Sequence, residues 1–394
     1  MLPQPSANFT LPSLHDDLEL DCRLYFPRIR SETHEAPRPQ GCAIFAHPYA
    51  PLGGCYDDPV VQSVGEVLIR NGFVLATFNF RGAEKSAGRT SWSGKAELAD
   101  YVSVYAFVLA FMNANVNAAI YHSPDTNHNK PHDPPILLLG GYSYGSMIAA
   151  HLPDSKVVLS ILQHATEGSA EYEIRNRAHE LGQAFLGYCG AQHQRGRNSL
   201  KALPGDILSP SGATFGGYES PTAAHKISRE VSRRSIDRER VRQSVDKVRR
   251  RLSSRGNSNG SNSSSSAEAV EIPQVMPKLV YLLISPLLGP VSGFATLFLK
   301  LKFERRDMTS TAAKDTTITD TDSMLSANPS FVVFGTDDHF TSSRKVKEWC
   351  ESLKAKPGSM MDFREIHDAG HFWHDPELEA QMTSAVSGWL AKIL

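Results

Sequence analysis

Residues 136–150, ILLLGGYSYGSMIAA, decide how the rest of the chain is read. An apolar run (Ile136, Leu137, Leu138, Leu139) reaches Gly140-Gly141-Tyr142-Ser143-Tyr144-Gly145, and a small, apolar run (Met147, Ile148, Ala149, Ala150) follows. A buried strand, a tight turn and a helix are expected in that order, the context a G-x-S-x-G nucleophile elbow requires. Gly141 and Gly145 lack a Cβ, so strand and helix can close on one another while Ser143 occupies a strained turn. The helix start behind Ser143 supplies unpaired N–H groups that favour a developing negative charge. The pattern alone would arise by chance about 0.2 times in a chain of this length, so the weight falls on its flanks and on whether partners follow.

Upstream, strands and helices alternate. Residues 11–27 alternate apolar and polar around a turn at His15-Asp16-Asp17 and read as a β-hairpin. Residues 42–46 (CAIFA) are a short, continuously apolar run, as in a strand buried on both faces of a parallel sheet, and 73–80 read as another buried strand. Residues 60–71 have helical spacing and end at Asn71-Gly72, a C-cap signal; residues 95–114 read as a long helix. This is the α/β pattern with right-handed crossovers.

Downstream, residues 330–334 (SFVVF) form the next expected buried strand and open onto Gly335-Thr336-Asp337-Asp338. A helix over 343–353, a strand over 361–366 and Ala369-Gly370-His371 come after it, with a last helix from 376 to the C-terminus. Of the two carboxylates Asp338 is favoured over Asp337, on its spacing from Gly335. Of three neighbouring histidines His371 is favoured, because small residues precede it; His374 is the fallback and His367 the third. The order Ser143, Asp338, His371 is the serine, acid, histidine order of α/β-hydrolases, distinct from those of chymotrypsin and subtilisin.

Together these blocks resemble the dienelactone-hydrolase-like branch of the α/β-hydrolase superfamily. FAHPYAPLGGCYDDPVV (45–61) is similar to its HPHP-GG loop, FNFRGAEKSAGRTSWSGKAELAD (78–100) to its FNFRG-x-G-x-S-x-G segment with a downstream acid, here Glu97 or Asp100. GGYSYGSMIAA, FGTDDHFTSSRKVKEW and AGHFW resemble its nucleophile, acid and histidine blocks. The likeness covers roughly 11–165 and 275–394. Glu84 departs from it, standing where the family carries a second glycine. The resemblance implies an α/β-hydrolase fold, a mostly parallel central sheet with helices on both faces, to which the sequence adds a partly disordered insert.

Three segments are expected: residues 1–165 and 273–394 as two parts of one core, and 166–272 as an insert with a cap-like start, helical over 167–186. The insert's length and Ser-rich tail resemble fungal members. Residues 226–255 hold twelve Lys and Arg against four acidic residues, a local charge of +8 in a chain whose net charge is −1. Residues 257–266 (NSNGSNSSSS) read as a flexible linker. The basic run is taken as a solvated, disordered insert, with docking to an acidic membrane or nucleic acid as the alternative. No clear nucleic-acid partner emerges.

Five scattered cysteines without C-x-x-C spacing suggest reduced thiols and a cytoplasmic setting; no signal peptide is recognised. Residues 279–299 could span a bilayer by length, but Pro286, Gly289, Pro290 and Gly293 favour a buried strand, a loop and a short helix. The expected activity is a serine hydrolase acting on a carboxylic ester or related acyl substrate, without metal or organic cofactor. Ser143 is the nucleophile, His371 the base and Asp338 the orienting acid. The backbone N–H groups of Tyr144 and Tyr49 are expected to form the oxyanion hole, because Pro48 has none. His47 braces that loop, and Arg81 either steadies the region or is a surface residue. Tyr49, Tyr142, Tyr144, Phe340, Phe372 and Trp373 suggest an apolar mouth or serve as packing. Two rivals stand beside this reading: a non-catalytic interaction protein on the same fold, and an acyltransferase using the same three residues.

Overall fold

A computed structural model describes residues 2–27, 39–91, 93–113, 134–163, 165–199, 276–288 and 321–394, with backbone alone for 192–199. Eight strands make one sheet: β1 (Ala7–Pro12), β2 (Glu19–Tyr25), β3 (Gly41–Ala46), β4 (Phe73–Phe78), β5 (Ile136–Tyr142), β6 (Lys278–Ile284), β7 (Ser330–Asp337) and β8 (Met361–Gly370). Their order across the sheet is β1-β2-β4-β3-β5-β6-β7-β8. Only β2 runs against the rest, pairing antiparallel with both β1 and β4, while every later pair is parallel.

Helices α1 (Pro59–Arg70), α2 (Lys95–Phe111), α3 (Tyr144–Ala150), α4 (Ser155–Leu162), α5 (Ala170–Ser199), α6 (Thr321–Ala327), α7 (Ser343–Lys354) and α8 (Pro376–Ile393) cover both faces. The two-residue period of the strands divides the core. Ala43, Phe45, Leu138, Val280 and Leu282 point to one face with Val61 and Leu68 of α1 and Met382 and Val386 of α8. Cys42, Ile44, Leu137, Leu139 and Tyr281 point to the other with α2, α3, α4 and α5. The central strands are buried on both sides, which explains why their sequences run apolar without alternation.

Several limits differ from expectation for local reasons. The hairpin's first strand begins at Ala7, earlier than residue 11. The last strand continues past Ile366 to Gly370, although His367 and Asp368 are exposed. As an edge strand it can carry polar residues, so composition conceals its end. α2 is buried all round, because α5 lies against its outer side. The helix expected over 167–186 extends from Ala170 to Ser199, with Ile174, Ala178 and Phe185 in the core.

The described residues belong to one compact unit. The basic run at 226–255, the Ser-rich run at 257–266 and the helix expected after residue 290 lie outside the described residues. Among the described residues no helix is long and apolar enough to cross a membrane.

Candidate active site

The strand order, the single reversed strand β2 and a tight turn from β5 into α3 make this an α/β-hydrolase fold. From β3 the chain steps through α1 to β4 on one side, then returns through α2 to β5 on the other. The strand order therefore reverses between β3 and β5, and such a switch point leaves a crevice at the carboxyl ends of the strands. Ser143 follows β5 and His47 follows β3, so both lie at that crevice.

Ser143 sits at φ 55°, ψ −114°, between strand and helix. That conformation is costly for a residue with a Cβ and is held on several sides. The Ser143 N–H donates to the Ile284 carbonyl at 2.9 Å, and its carbonyl accepts from the Ser146 hydroxyl at 2.7 Å. A Cβ on Gly145 would stand 2.5 Å from the Ala46 carbonyl oxygen, so only glycine lets the start of α3 close on the end of β3. Behind the turn, the buried Tyr101 hydroxyl donates to the Gly140 carbonyl at 2.9 Å and accepts the Gly140 N–H at 3.0 Å, fixing β5 before its end.

Three residues distant in sequence meet here. His371 Nε2 lies 2.8 Å from Ser143 Oγ, and His371 Nδ1 lies 2.7 Å from Asp338 Oδ2. Ser143 and His371 are each 5 % exposed and Asp338 is 9 % exposed. The other Asp338 oxygen accepts the N–H groups of Phe340 at 2.8 Å and Thr341 at 3.1 Å, so the carboxylate cannot swing away from the imidazole. Gly335 is required by close approach: a Cβ there would stand 2.0 Å from the Ala369 carbonyl oxygen. The strand pairing is irregular between Gly335 and Asp337, where β7 turns Asp338 toward His371. Asp337 is exposed on that strand end, while His374 and His367 are exposed beyond the cluster.

Two further ties could not be found from sequence. The Tyr142 hydroxyl donates to the His371 carbonyl at 2.8 Å, and the Trp373 indole N–H donates to Ser285 Oγ at 3.1 Å. Both residues are buried, so they serve as supports for the histidine loop and not as a mouth. Neither has a sequence signature, since each depends on a partner far away along the chain.

On the opposite side, His47 is fully buried and makes two bonds. Its Nε2 accepts the Phe80 N–H at 2.8 Å, so Nδ1 carries the proton and donates to the Pro48 carbonyl at 2.6 Å. Burial holds this imidazole neutral, with its pKa lowered to about 4. His47 is thus a brace between the ends of β3 and β4. Tyr49 follows it, half-buried, with its ring 5.2 Å from that of Tyr144. The Tyr144 N–H belongs to the first turn of α3, where backbone donors lack intrahelical acceptors.

Arg81 is no surface arginine. Its guanidinium makes a two-pronged contact with buried Asp100 (2.9 and 2.7 Å) and reaches Asp16 at 3.0 Å and Ser13 at 3.1 Å. It joins the β1–β2 turn, the end of β4 and α2. Glu97 accepts instead from the Ser91 N–H and hydroxyl, and burial raises its pKa. Between the two acids left open by sequence, Asp100 takes the arginine. Among the described residues no group of three or more His, Cys, Asp or Glu is placed to hold a metal ion.

No protein-family model and no curated protein sequence matches the chain. Solved structures similar to it include a serine hydrolase without a lid from Xanthomonas campestris, 15 % identical over 100 % of this chain and 97 % of that one, TM-score 0.44. A serine hydrolase homologue from Coxiella burnetii is 14 % identical over 98 % and 99 %, TM-score 0.44. An esterase from Thermogutta terrifontis, phosphoramylated by tabun, is 12 % identical over 99 % and 96 %, TM-score 0.44. At these values the fold assignment rests on the strand order and the elbow, and the likenesses add nothing to it.

Proposed function

We propose that the protein is a serine hydrolase that cleaves a carboxylic ester or related acyl substrate through an acyl-enzyme. The observation that carries this reading is the unbroken chain Ser143 Oγ, His371, Asp338, at 2.8 and 2.7 Å. A non-catalytic protein built on this fold has no need for a hydroxyl in a strained turn within hydrogen-bond reach of an oriented imidazole.

His371 Nε2 takes the Ser143 proton as Oγ attacks the carbonyl carbon, while Asp338 holds the tautomer and stabilises the imidazolium. The oxyanion accepts from the backbone N–H groups of Tyr144 and Tyr49; one such donor is worth about two to three orders of magnitude in rate. The carbon–oxygen bond of the ester breaks, and His371 gives its proton to the departing alcohol oxygen. Water, deprotonated by His371, then releases the acid and restores Ser143. Positioned acid–base transfer of this kind contributes roughly two to four orders of magnitude.

The test is turnover of p-nitrophenyl acetate by the purified protein and its Ser143→Ala variant. Turnover with free acetate as product, abolished in the variant, supports the reading. Acetyl transfer to an added alcohol or thiol in place of acetate would mark an acyltransferase. Equal turnover in both proteins would overturn the assignment of Ser143.

A further inference from the structure

Two half-exposed phenyl rings wall the imidazole of His371. Phe340, on the loop after β7, lies 4.4 Å from it between ring centroids at 33°. Phe372 stands edge-on at 5.4 Å and 89°. The two rings meet each other at 5.5 Å and 88°. Each is 49 % exposed; among the large hydrophobic side chains of the described residues only Leu52, Met360 and Leu394 are comparably open. Leu52 lies on the loop that also carries Tyr49.

A cleft of about 350 Å³ opens beside the two rings and His371. Asp337, Asp368 and Asp375 also line it with the imidazoles of His339 and His374, and among the described residues no lysine or arginine does. Its position has a mechanistic consequence. The imidazole must hand its proton to the leaving oxygen, so the alcohol half of an ester has to lie against His371. The acyl oxygen points the other way, toward the N–H groups of Tyr144 and Tyr49.

We infer that this cleft receives the alcohol half of the substrate, and that this half is aromatic and carries no negative charge. The inference rests on Ser143 being the nucleophile. A planar ring meets one phenyl face and one phenyl edge, the geometries aromatic pairs prefer. An acidic substituent on that ring meets three carboxylates and neither a lysine nor an arginine, which is discrimination by repulsion.

The experiment compares kcat/KM for benzyl acetate, 4-carboxybenzyl acetate and methyl acetate. A common acetyl-enzyme confines the differences to acylation. The wild-type protein is expected to prefer benzyl over 4-carboxybenzyl acetate by on the order of tenfold or more. Asp337→Asn with Asp368→Asn should shrink that ratio severalfold. Phe372→Ala should lower the preference for benzyl over methyl acetate by about tenfold. Phe340→Leu, which keeps an apolar side chain on the acid loop, should lower it in the same direction. Modification of Ser143 by a fluorophosphonate is measured in every variant. Ratios that stay unchanged while Ser143 remains reactive would overturn the inference alone. Absence of Ser143 reactivity in the wild-type protein would overturn the nucleophile on which it rests.

Discussion

The Phe80 backbone N–H donates to His47 Nε2 at 2.8 Å, and this one bond fixes both the tautomer and the charge of a buried imidazole. A protonated His47 could not accept it. Burial lowers the folded pKa from 6.5 to about 4, so between these values the unfolded chain binds a proton that the folded chain does not. Stability is therefore full above about pH 6.5 and falls as pH drops toward 4. The fall attributable to His47 is about 3 kcal/mol. Urea denaturation of wild type and His47→Gln at pH 7 and pH 4.5 checks this: the variant should be less stable at pH 7 and lose less on acidification. An equal loss in both would contradict the assignment.

Asp338 and Asp337 are adjacent, yet only Asp338 reaches His371. Asp338→Asn should reduce kcat for an activated ester by about four orders of magnitude, as expected when the orienting acid no longer holds the productive tautomer. Asp337→Asn should leave kcat for that ester within a fewfold of wild type. Steady-state kinetics with p-nitrophenyl acetate separates the two.

The Arg81–Asp100 pair is a structural knot, with side chains 6 % and 0 % exposed. Arg81→Ala leaves a buried carboxylate without its cation and should cost about 3–5 kcal/mol. Arg177 pairs with Glu180 on the surface, at 43 % and 62 % exposure; Arg177→Ala should cost less than about 1 kcal/mol. Equilibrium unfolding in urea measures both, and equal costs would contradict the ranking.

Glu84 adopts φ 45° and is exposed. The loop thus keeps a glycine-like conformation at the position where the resembled family carries glycine, at a steric cost of about 1 kcal/mol. Glu84→Gly should therefore raise the midpoint of thermal unfolding. A lowered midpoint would mean that the glutamate side chain contributes more than the strain removes.

Much of this architecture is legible in the sequence because central strands and the elbow are coded locally. Residues 42–46 and 136–139 are apolar without a break and 73–78 are broken only by Thr77, as burial on two faces demands, and Gly141 and Gly145 flank the only serine in that context. From sequence, spacing alone favours Asp338, and the reason for that spacing is visible only in three dimensions: Gly335 must admit the Ala369 carbonyl before Asp338 can turn inward. Supports made across strands had no sequence trace. Tyr142 to the His371 carbonyl, Trp373 to Ser285 and Tyr101 to Gly140 each join residues dozens to hundreds of positions apart. Their aromatic character leaves a substrate mouth and packing both open at Tyr142 and Trp373; burial gives those two a supporting role and leaves Phe340 and Phe372 open. The length of β8 was hidden for a related reason, since an edge strand tolerates His367 and Asp368.

The central claim is that His371 makes the Ser143 hydroxyl nucleophilic. The most direct measurement is the rate at which a fluorophosphonate modifies Ser143, followed by mass spectrometry of its peptide, in wild type and His371→Ala. The account predicts a single adduct on Ser143 in the wild-type protein and a rate lower by at least about two orders of magnitude in the variant. Equal rates, or an adduct on a different residue, would contradict it.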